Sequence, residues 1–235
     1  MRRILISGAN RGIGKSVANR LLNDGHFVSL GIRDKESLNR SEFDIAPNQS
    51  QRLLINYYDS LEHSSAKSWI QNTAAKFGEI DTLIHCAGIL NKTEFLFKDS
   101  EIKDIDEIWR VNVLGPWILT KEAWQYLVKS EKGRIIVLVS MSGKRVKSKL
   151  ASYSMSKFAL ISLCQSMRNE GWEKGIRVTA ICPGWVNTDM SKEVKDMAKS
   201  DMTQPGDIAK LCSNLLELSN SCVPFEIQLN CNLER

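Results

Sequence analysis

The sequence predicts an α/β fold, a single doubly wound parallel sheet with helices on both faces, organised as one domain over residues 1–235. Short apolar, partly β-branched runs recur at 4–6, 27–30, 53–55, 82–84, 135–139 and 178–181, the lengths of buried strands. Between them lie stretches with helical spacing, such as Val17, Leu21 and Leu22 after the first run and Trp117, Lys121 and Trp124 before the fifth. Strand and helix therefore alternate, as parallel strands demand, because each crossover has to cover the sheet. A chain of 235 residues with 43% hydrophobic residues can bury one large core. Its five prolines are scattered, and no repeat or linker divides it.

Composition excludes several function classes. The 32 basic and 27 acidic residues leave a net charge of +5, mixed along the chain, so the concentrated basic face that binds nucleic acid is not expected. The local exception is KRVKSK at 144–149. The opening MRRILISGAN has an apolar run too short for a signal core or a membrane span, which makes the expected location cytoplasmic with no membrane partner. Six cysteines without a CxxC pair and three widely separated histidines point away from metal and from a disulfide framework.

The elements carry chemistry in order. SGANRGIG at 7–14 follows the first strand and opens the first helix, the setting of a phosphate-binding turn. Gly8 permits the tight turn, Gly12 lets the backbone approach a pyrophosphate, and Gly14 permits close helix packing, with Asn10, Arg11 and Ile13 completing the loop. The second strand ends at Ile32-Arg33, the third is followed by Asp59-Ser60, and the fourth by Cys86-Ala87-Gly88. Later, Tyr153 and Lys157 stand four apart in a helical segment, which places them on one face about 5–6 Å apart. Lowering a tyrosine from about 10 toward neutrality takes about 4 kcal/mol of preferential phenolate stabilisation, an effect a neighbouring ammonium can supply.

Glycines spaced as at 8, 12 and 14, followed by Cys86-Ala87-Gly88, Asn112, Ser140, the Tyr153/Lys157 pair and Pro183-Gly184, resemble the short-chain dehydrogenase/reductase version of the Rossmann fold from about residue 3 to about residue 218. The resemblance implies that Tyr153 is the general acid in reduction and the general base in oxidation. Ser140 then hydrogen-bonds the substrate oxygen, Lys157 holds the nicotinamide ribose, and Asn112, opening the long fifth helix, binds a water linking Lys157 to solvent. Ser142 competes for the serine role, but the family spacing of 13 residues before the tyrosine selects Ser140. Asp59 and Ser60 resemble the adenine contacts, Cys86, Ala87 and Gly88 the backbone contacts after the fourth strand, and Val186 and Thr188, after Pro183 and Gly184, the contacts of the carboxamide. Two departures stand out: His85-Cys86 replaces the usual pair of asparagines, and the carboxyl end FEIQLNCNLER lacks a glycine-rich tail.

NAD-specific members carry an acid where this chain has Ile32. With Arg33 next and Arg11 in the glycine turn, NADP(H) is expected over NAD(H), since two guanidiniums suit a 2′-phosphate. The expected function is NADPH-dependent reduction of a ketone, aldehyde or 3-oxoacyl group to an alcohol, with alcohol oxidation or a non-catalytic NADP(H) sensor as alternatives. Asp189 to Gln204 corresponds to the family's substrate lid, where Met190, Val194 and Met197 suit a short amphipathic helix. The relatives' paired helices imply a homodimer or homotetramer, with Trp117 and Trp124 on one helix face. Finally, Lys144, Arg145, Lys147 and Lys149 lie between Ser140 and Tyr153, which suggests an anionic small-molecule substrate carrying a carboxylate, phosphate or phosphopantetheine-type group.

Overall fold

The apolar runs become strands whose order in the sheet differs from their order in the chain. In the computed structural model, which describes residues 1–34, 47–147 and 149–231, β1 (Arg3–Ser7), β2 (Phe27–Ile32) and β3 (Leu53–Tyr57) run from the centre to one edge. The chain then returns to the centre with β4 (Thr82–His85) and proceeds outward through β5 (Arg134–Leu138), β6 (Arg177–Pro183) and β7 (Glu226–Leu229). The order is β3-β2-β1-β4-β5-β6-β7, with every neighbouring pair parallel. The switch in winding between β1 and β4 opens a crevice beyond their carboxyl ends.

Helices α1 (Gly12–Asn23), α2 (His63–Phe77), α3 (Ile102–Trp109), α4 (Gly115–Lys129), α5 (Ala151–Gly171) and α6 (Pro205–Glu217) cover both faces. The period of two along β1 sends Ile4 and Ile6 to a core shared with α1 and α6, through Val17, Leu21, Ile208 and Leu215. Leu5 faces the opposite core, with Trp69 of α2, Leu119 of α4 and Leu160 of α5. Trp69 fixes α2 against β2: a Cβ on Gly31 would come within 2.4 Å of its ring. Its indole N–H donates to Ser29 Oγ at 2.9 Å. Ser29 also meets Thr73 Oγ1 at 2.7 Å and accepts from Asn56 Nδ2 at 3.1 Å, so this buried polar cluster is satisfied.

At the amino-terminal end of the sheet, fully buried Asp81 ties three strands together. It pairs with Arg2 at 3.3 Å, accepts from the Arg3 N–H at 3.1 Å and from the Thr82 hydroxyl at 2.7 Å, and its carbonyl accepts from the Arg134 N–H at 2.9 Å.

The edge strand β7 was not anticipated, because its half-buried GlU-Ile-Gln-Leu pattern carries too few apolar residues to stand out. Nor does Asn112 open a helix: α3 and α4 are joined by a π-helical turn, Arg110–Leu114, into one helical run with Asn112 inside it. Pro116 has no N–H to give the Asn112 carbonyl four residues earlier, so a regular α-helix is not available there. Among the described residues no helix is long and apolar enough to cross a membrane, and no group of three or more His, Cys, Asp or Glu side chains is placed to hold a metal ion. None of the six cysteines is joined in a disulfide. Residues 232–235, the end of the glycine-poor tail, lie outside the described residues.

Candidate functional site

The carboxyl ends of β1, β4, β5 and β6 converge on the crevice. After β1 the chain turns at Gly8 and Gly12, both in the left-handed region with φ of 68° and 55°. A Cβ on Gly8 would lie 2.7 Å from the Ala87 backbone, and one on Gly14 would lie 2.3 Å from the Gly8 carbonyl. The β1 and β4 loops therefore touch through glycine, and α1 starts directly behind the turn, its first N–H groups available to an anion. Asn10 and Arg11 are exposed, while Ile13 is half-buried and packs on the core. A Cβ on Gly12 would approach the Thr188 methyl at 3.3 Å, so the segment after β6 faces the turn. Gly88 is equally confined, with Asn112 Oδ1 at 3.3 Å and Lys157 Nζ at 3.7 Å from its missing Cβ. A side chain at Gly8 or Gly14 would strike the protein's own backbone, so glycine there is what lets the β1 turn, the β4 loop and α1 pack closely.

Other expected contacts vary in fit. Cys86 and Ala87 are held by Ser7, the Cys86 N–H on its carbonyl at 3.2 Å and the Ala87 N–H on its hydroxyl at 3.3 Å. Arg33 is exposed directly after β2, whereas Arg11 lies 3.5 Å from Asp189 in an exposed pair that contributes little on its own. Asp59 accepts from the Leu61 N–H at 2.9 Å, and the Ser60 hydroxyl, buried, donates to the Tyr58 hydroxyl at 3.3 Å. Pro183 ends β6, and the Gly184 N–H donates to Leu229 at 2.7 Å. His85, in place of an asparagine, supplies a brace of its own: Nε2 meets the Thr120 hydroxyl of α4 at 2.9 Å. Burial lowers its pKa to about 3, so the ring is neutral, and Nδ1 is buried with no hydrogen-bond partner among the described residues.

Tyr153 and Lys157 occupy successive turns at the start of α5 and are buried, 6% and 5% exposed. Lys157 Nζ sits 5.6 Å from the centre of the Tyr153 ring and donates to the Leu138 carbonyl of β5 at 3.1 Å. Ser140, just past β5, hydrogen-bonds Tyr153 and accepts from the Ser142 N–H at 3.0 Å. Thus Ser140 rather than Ser142 meets the phenol. Burial lowers Lys157 to about 8 and raises the Tyr153 phenol, partly offset by the bond to Ser140. Among the protein's own groups desolvation therefore dominates at Tyr153 and raises the phenol.

Asn112, 1% exposed, uses its whole carboxamide. Oδ1 accepts from the Ile89 N–H at 2.9 Å, and Nδ2 donates to the Ile89 carbonyl at 3.0 Å and to Ser156 Oγ at 3.1 Å. Ser156 in turn donates to the Tyr153 carbonyl at 2.7 Å. Neither Ser156 nor Pro116 was singled out in the sequence, although both flank the motif residues closely, one inside YSMSK and the other four positions after Asn112.

A cleft opens in front of Ser140 and Tyr153, with Leu90, Leu150, Trp185 and Met190 among its walls. Beside it, the short amphipathic helix expected in the lid segment is corrected. No amphipathic helix spans Asp189 to Gln204; two 3₁₀ turns, Asp189–Ser191 and Lys199–Asp201, take its place. The Ser191 hydroxyl turns back onto the carbonyls of Val186 at 2.6 Å and Thr188 at 3.0 Å, bonds that compete with helix propagation. Met190 reaches the cleft, but Met197 instead accepts from the Cys231 thiol at 3.6 Å. Trp117 and Trp124 also part company: Trp117 is 56% exposed, and Trp124 packs against the core.

Comparison with known proteins agrees with this geometry. The chain is 36% identical over 231 residues to an agropine synthesis reductase of Rhizobium rhizogenes, covering 98% of this chain but 53% of that protein, so it spans about half the length of that relative. It is 32% identical to a 3-oxoacyl-(acyl-carrier-protein) reductase of Salmonella typhimurium over 82% of this chain and 76% of the other. Its fold matches an alcohol dehydrogenase of the archaeon Thermococcus sibiricus solved with 5-hydroxy-NADP, with a TM-score of 0.88, 23% identity and coverage of 100% and 99%. A 3-ketoacyl-(acyl-carrier-protein) reductase of Brucella melitensis solved with NADH matches with a TM-score of 0.85, 22% identity and coverage of 97% and 96%. The family model for short chain dehydrogenases matches residues 2–199, and the chain belongs to the short-chain dehydrogenase/reductase family.

Proposed function

We propose that this protein uses NADPH to reduce the carbonyl of a small ketone, aldehyde or 3-oxoacyl compound to an alcohol. One observation carries the reading: Ser140 and Tyr153 line one cleft, and Lys157, on the next helical turn, lies 5.6 Å from the Tyr153 ring and beside Gly88 of the β4 loop. The cofactor supplies the hydride when bound. Ser140 and Tyr153 bind the carbonyl oxygen, and Tyr153 gives it a proton as negative charge develops there. A phenol raised by burial holds the proton that reduction requires. Lys157 holds the ribose and returns a proton toward Tyr153, and the Asn112 clamp on Ile89 keeps the β4 loop in register with α5. A sensor of the nucleotide would have no use for the serine and tyrosine.

NADPH is preferred over NADH in this reading because Ile32 leaves no carboxylate to repel a 2′-phosphate, and because Arg33 and Arg11 are exposed near the ends of β2 and β1. The weak Arg11–Asp189 pair is one that a phosphate displaces. Replacing both arginines by alanine should weaken NADPH binding at least tenfold more than NADH binding, as charge-assisted bonds are lost; equal losses in fluorescence titrations would remove them from 2′-phosphate recognition. Self-association into a homodimer or homotetramer is part of the proposal, since Trp109, Trp117, Met155 and Phe158 are 43–64% exposed on α3, α4 and α5.

The deciding experiment is NADPH oxidation across ketones, aldehydes and 3-oxoacyl thioesters. Tyr153→Phe should lose about 10² to 10⁴-fold in kcat, the range of acid catalysis, while still binding NADPH. Undiminished turnover would take the proton-donor role from Tyr153.

A further inference from the structure

We propose that Ser156 is a positioning residue for the reaction, its hydroxyl tying the helical turn that carries Tyr153 and Lys157 to the loop after β4 through Asn112. The inference rests on the proposed reduction at Ser140 and Tyr153, and Ser156 acts through the tyrosine rather than on the substrate. Ser156 is fully buried and lies between the reactive pair in the chain. Its Oγ donates to the Tyr153 carbonyl at 2.7 Å and accepts from Asn112 Nδ2 at 3.1 Å. Chemistry fixes the direction of both bonds. An amide nitrogen only donates and a carbonyl only accepts, so the one hydroxyl hydrogen has to point at Tyr153. On its other side, Asn112 Nδ2 donates to the Ile89 carbonyl at 3.0 Å, and Oδ1 accepts from the Ile89 N–H at 2.9 Å. One chain of bonds therefore runs from the loop after β4 to the backbone of the proposed proton donor.

Within α5 the Tyr153 carbonyl is also the acceptor for the Lys157 N–H, four residues on. Ser156 thus brings a second donor to the carbonyl that joins the reactive pair. A serine bonded back to its own helix bends it, so this hydroxyl sets where the first turn of α5 lies. Gly88, next to Ile89, is close to both ends of the chain: Asn112 Oδ1 and Lys157 Nζ lie 3.3 and 3.7 Å from its missing Cβ. A second tie holds α5 independently. The Thr93 N–H donates to the Lys149 carbonyl at 3.0 Å, the Ala151 N–H donates to the Thr93 carbonyl at 2.9 Å, and the Thr93 and Ser152 hydroxyls meet at 2.8 Å. Tyr153 is therefore bracketed by Ser152 and Ser156, each tied to the segment after β4. Fold and chemistry are separable as a result, because the Thr93 tie starts the helix while the Ser156 link reaches the Tyr153 carbonyl itself. Without that hydroxyl, Asn112, 1% exposed, would keep a buried hydrogen with no acceptor in its present place, which it relieves only by moving.

The test is kinetic first, with NADPH and whichever ketone, aldehyde or 3-oxoacyl thioester is reduced fastest, each variant assayed below its thermal melt. Ser156→Ala should lower kcat about tenfold or more, since a small misplacement of a reacting group is costly, while NADPH binding in fluorescence titrations stays close to that of the unaltered enzyme. Ser156→Thr keeps the hydroxyl and adds a methyl group where there is no spare room. It should retain more kcat than Ser156→Ala, the reverse of the order expected of a residue that only fills space. Adding Ser156→Ala to Asn112→Ala should lower kcat no further, because the two residues act as one chain. Undiminished kcat in Ser156→Ala, a folded Ser156→Thr slower than Ser156→Ala, or additive losses in the double variant would overturn the proposal and leave the reductase reading standing. Should Ser156→Thr fail to fold, Ser156→Ala and the double variant decide. If no compound is reduced, the reductase reading fails, and amide hydrogen exchange decides the link without turnover. In Ser156→Ala, exchange should quicken at Ile89 and Lys157 and stay unchanged at Ala151, which the Thr93 tie protects. Equal quickening at all three amides, or at none, would overturn it.

Discussion

In the proposed mechanism, Lys157 is a buried charge kept for chemistry at a cost to stability. Its pKa falls from 10.5 to about 8 because burial disfavours the ammonium. Below pH 8 the lysine is charged in both the folded and unfolded states, and the desolvation penalty is felt in full. Between about 8 and 10.5 the unfolded chain holds the proton and the folded one does not, so this group's contribution to stability rises with pH. Lys157→Met should therefore raise stability at pH 7 by on the order of 1–3 kcal/mol, the lost bond to the Leu138 carbonyl offsetting part of the relief. The gain should shrink when the melts are repeated above pH 8. In the intact enzyme, kcat/KM for reduction should hold level below pH 8 and decline above it as the ammonium is lost, and a limb well below pH 8 would separate the rate from Lys157. His85 makes no such switch, since a ring held to about 3 stays neutral across this range.

Among the elements, α2 and β2 are coupled by a glycine that the sequence gives no reason to notice. Gly31 lies in mid-strand with no positive φ to demand it, where glycine otherwise weakens a strand. Its reason is tertiary: the Trp69 ring, fully buried, occupies the space of a side chain. Gly31→Ala should destabilise the protein by about 1–3 kcal/mol through overpacking, read as a lower midpoint in urea with an unchanged slope. Adding Trp69→Phe should recover part of the loss. A neutral Gly31→Ala would mean that α2 shifts freely on the sheet, contrary to its network through Ser29. The π-helical turn belongs to the same scale. Pro116 interrupts the α-helical ladder beside Asn112, and such turns recur at functional sites because they re-aim one side chain without ending the helix.

Across the whole molecule, stability and chemistry occupy opposite ends of the sheet. Asp81, Arg2 and Thr82 lock the amino-terminal ends of β1 and β4, while the glycine turn, Ser140 and the segment after β6 gather at the carboxyl ends. This division lets the loops beyond the strands carry function over a rigid base. The outer faces of the helical run and of α5 carry exposed apolar side chains, Trp117 the most prominent on α4. With self-association as proposed, Trp117→Glu should reduce the assembled mass in light scattering and leave the monomer folded by circular dichroism. An unchanged mass would place the interface elsewhere.

Six of the seven strands, the glycine turn and the Tyr153/Lys157 pair were legible in the sequence, because periodicity and spacing are local properties of a chain. β7 was not, since an edge strand with one half-buried face needs little hydrophobicity. The helix expected over 189–204 does not form, because methionine spacing says nothing of a serine that turns back onto its own backbone. Most of all, charge along the chain could not say which cations face the cleft. The run at 144–149 reads as one basic patch, and only the fold carries Lys144 to Glu226 and Lys149 to Glu94 while Arg145 and Lys147 line the cleft. Those partners lie 82 residues on and 55 back in the chain, and Coulomb interaction depends on distance through space, which the tertiary structure alone sets.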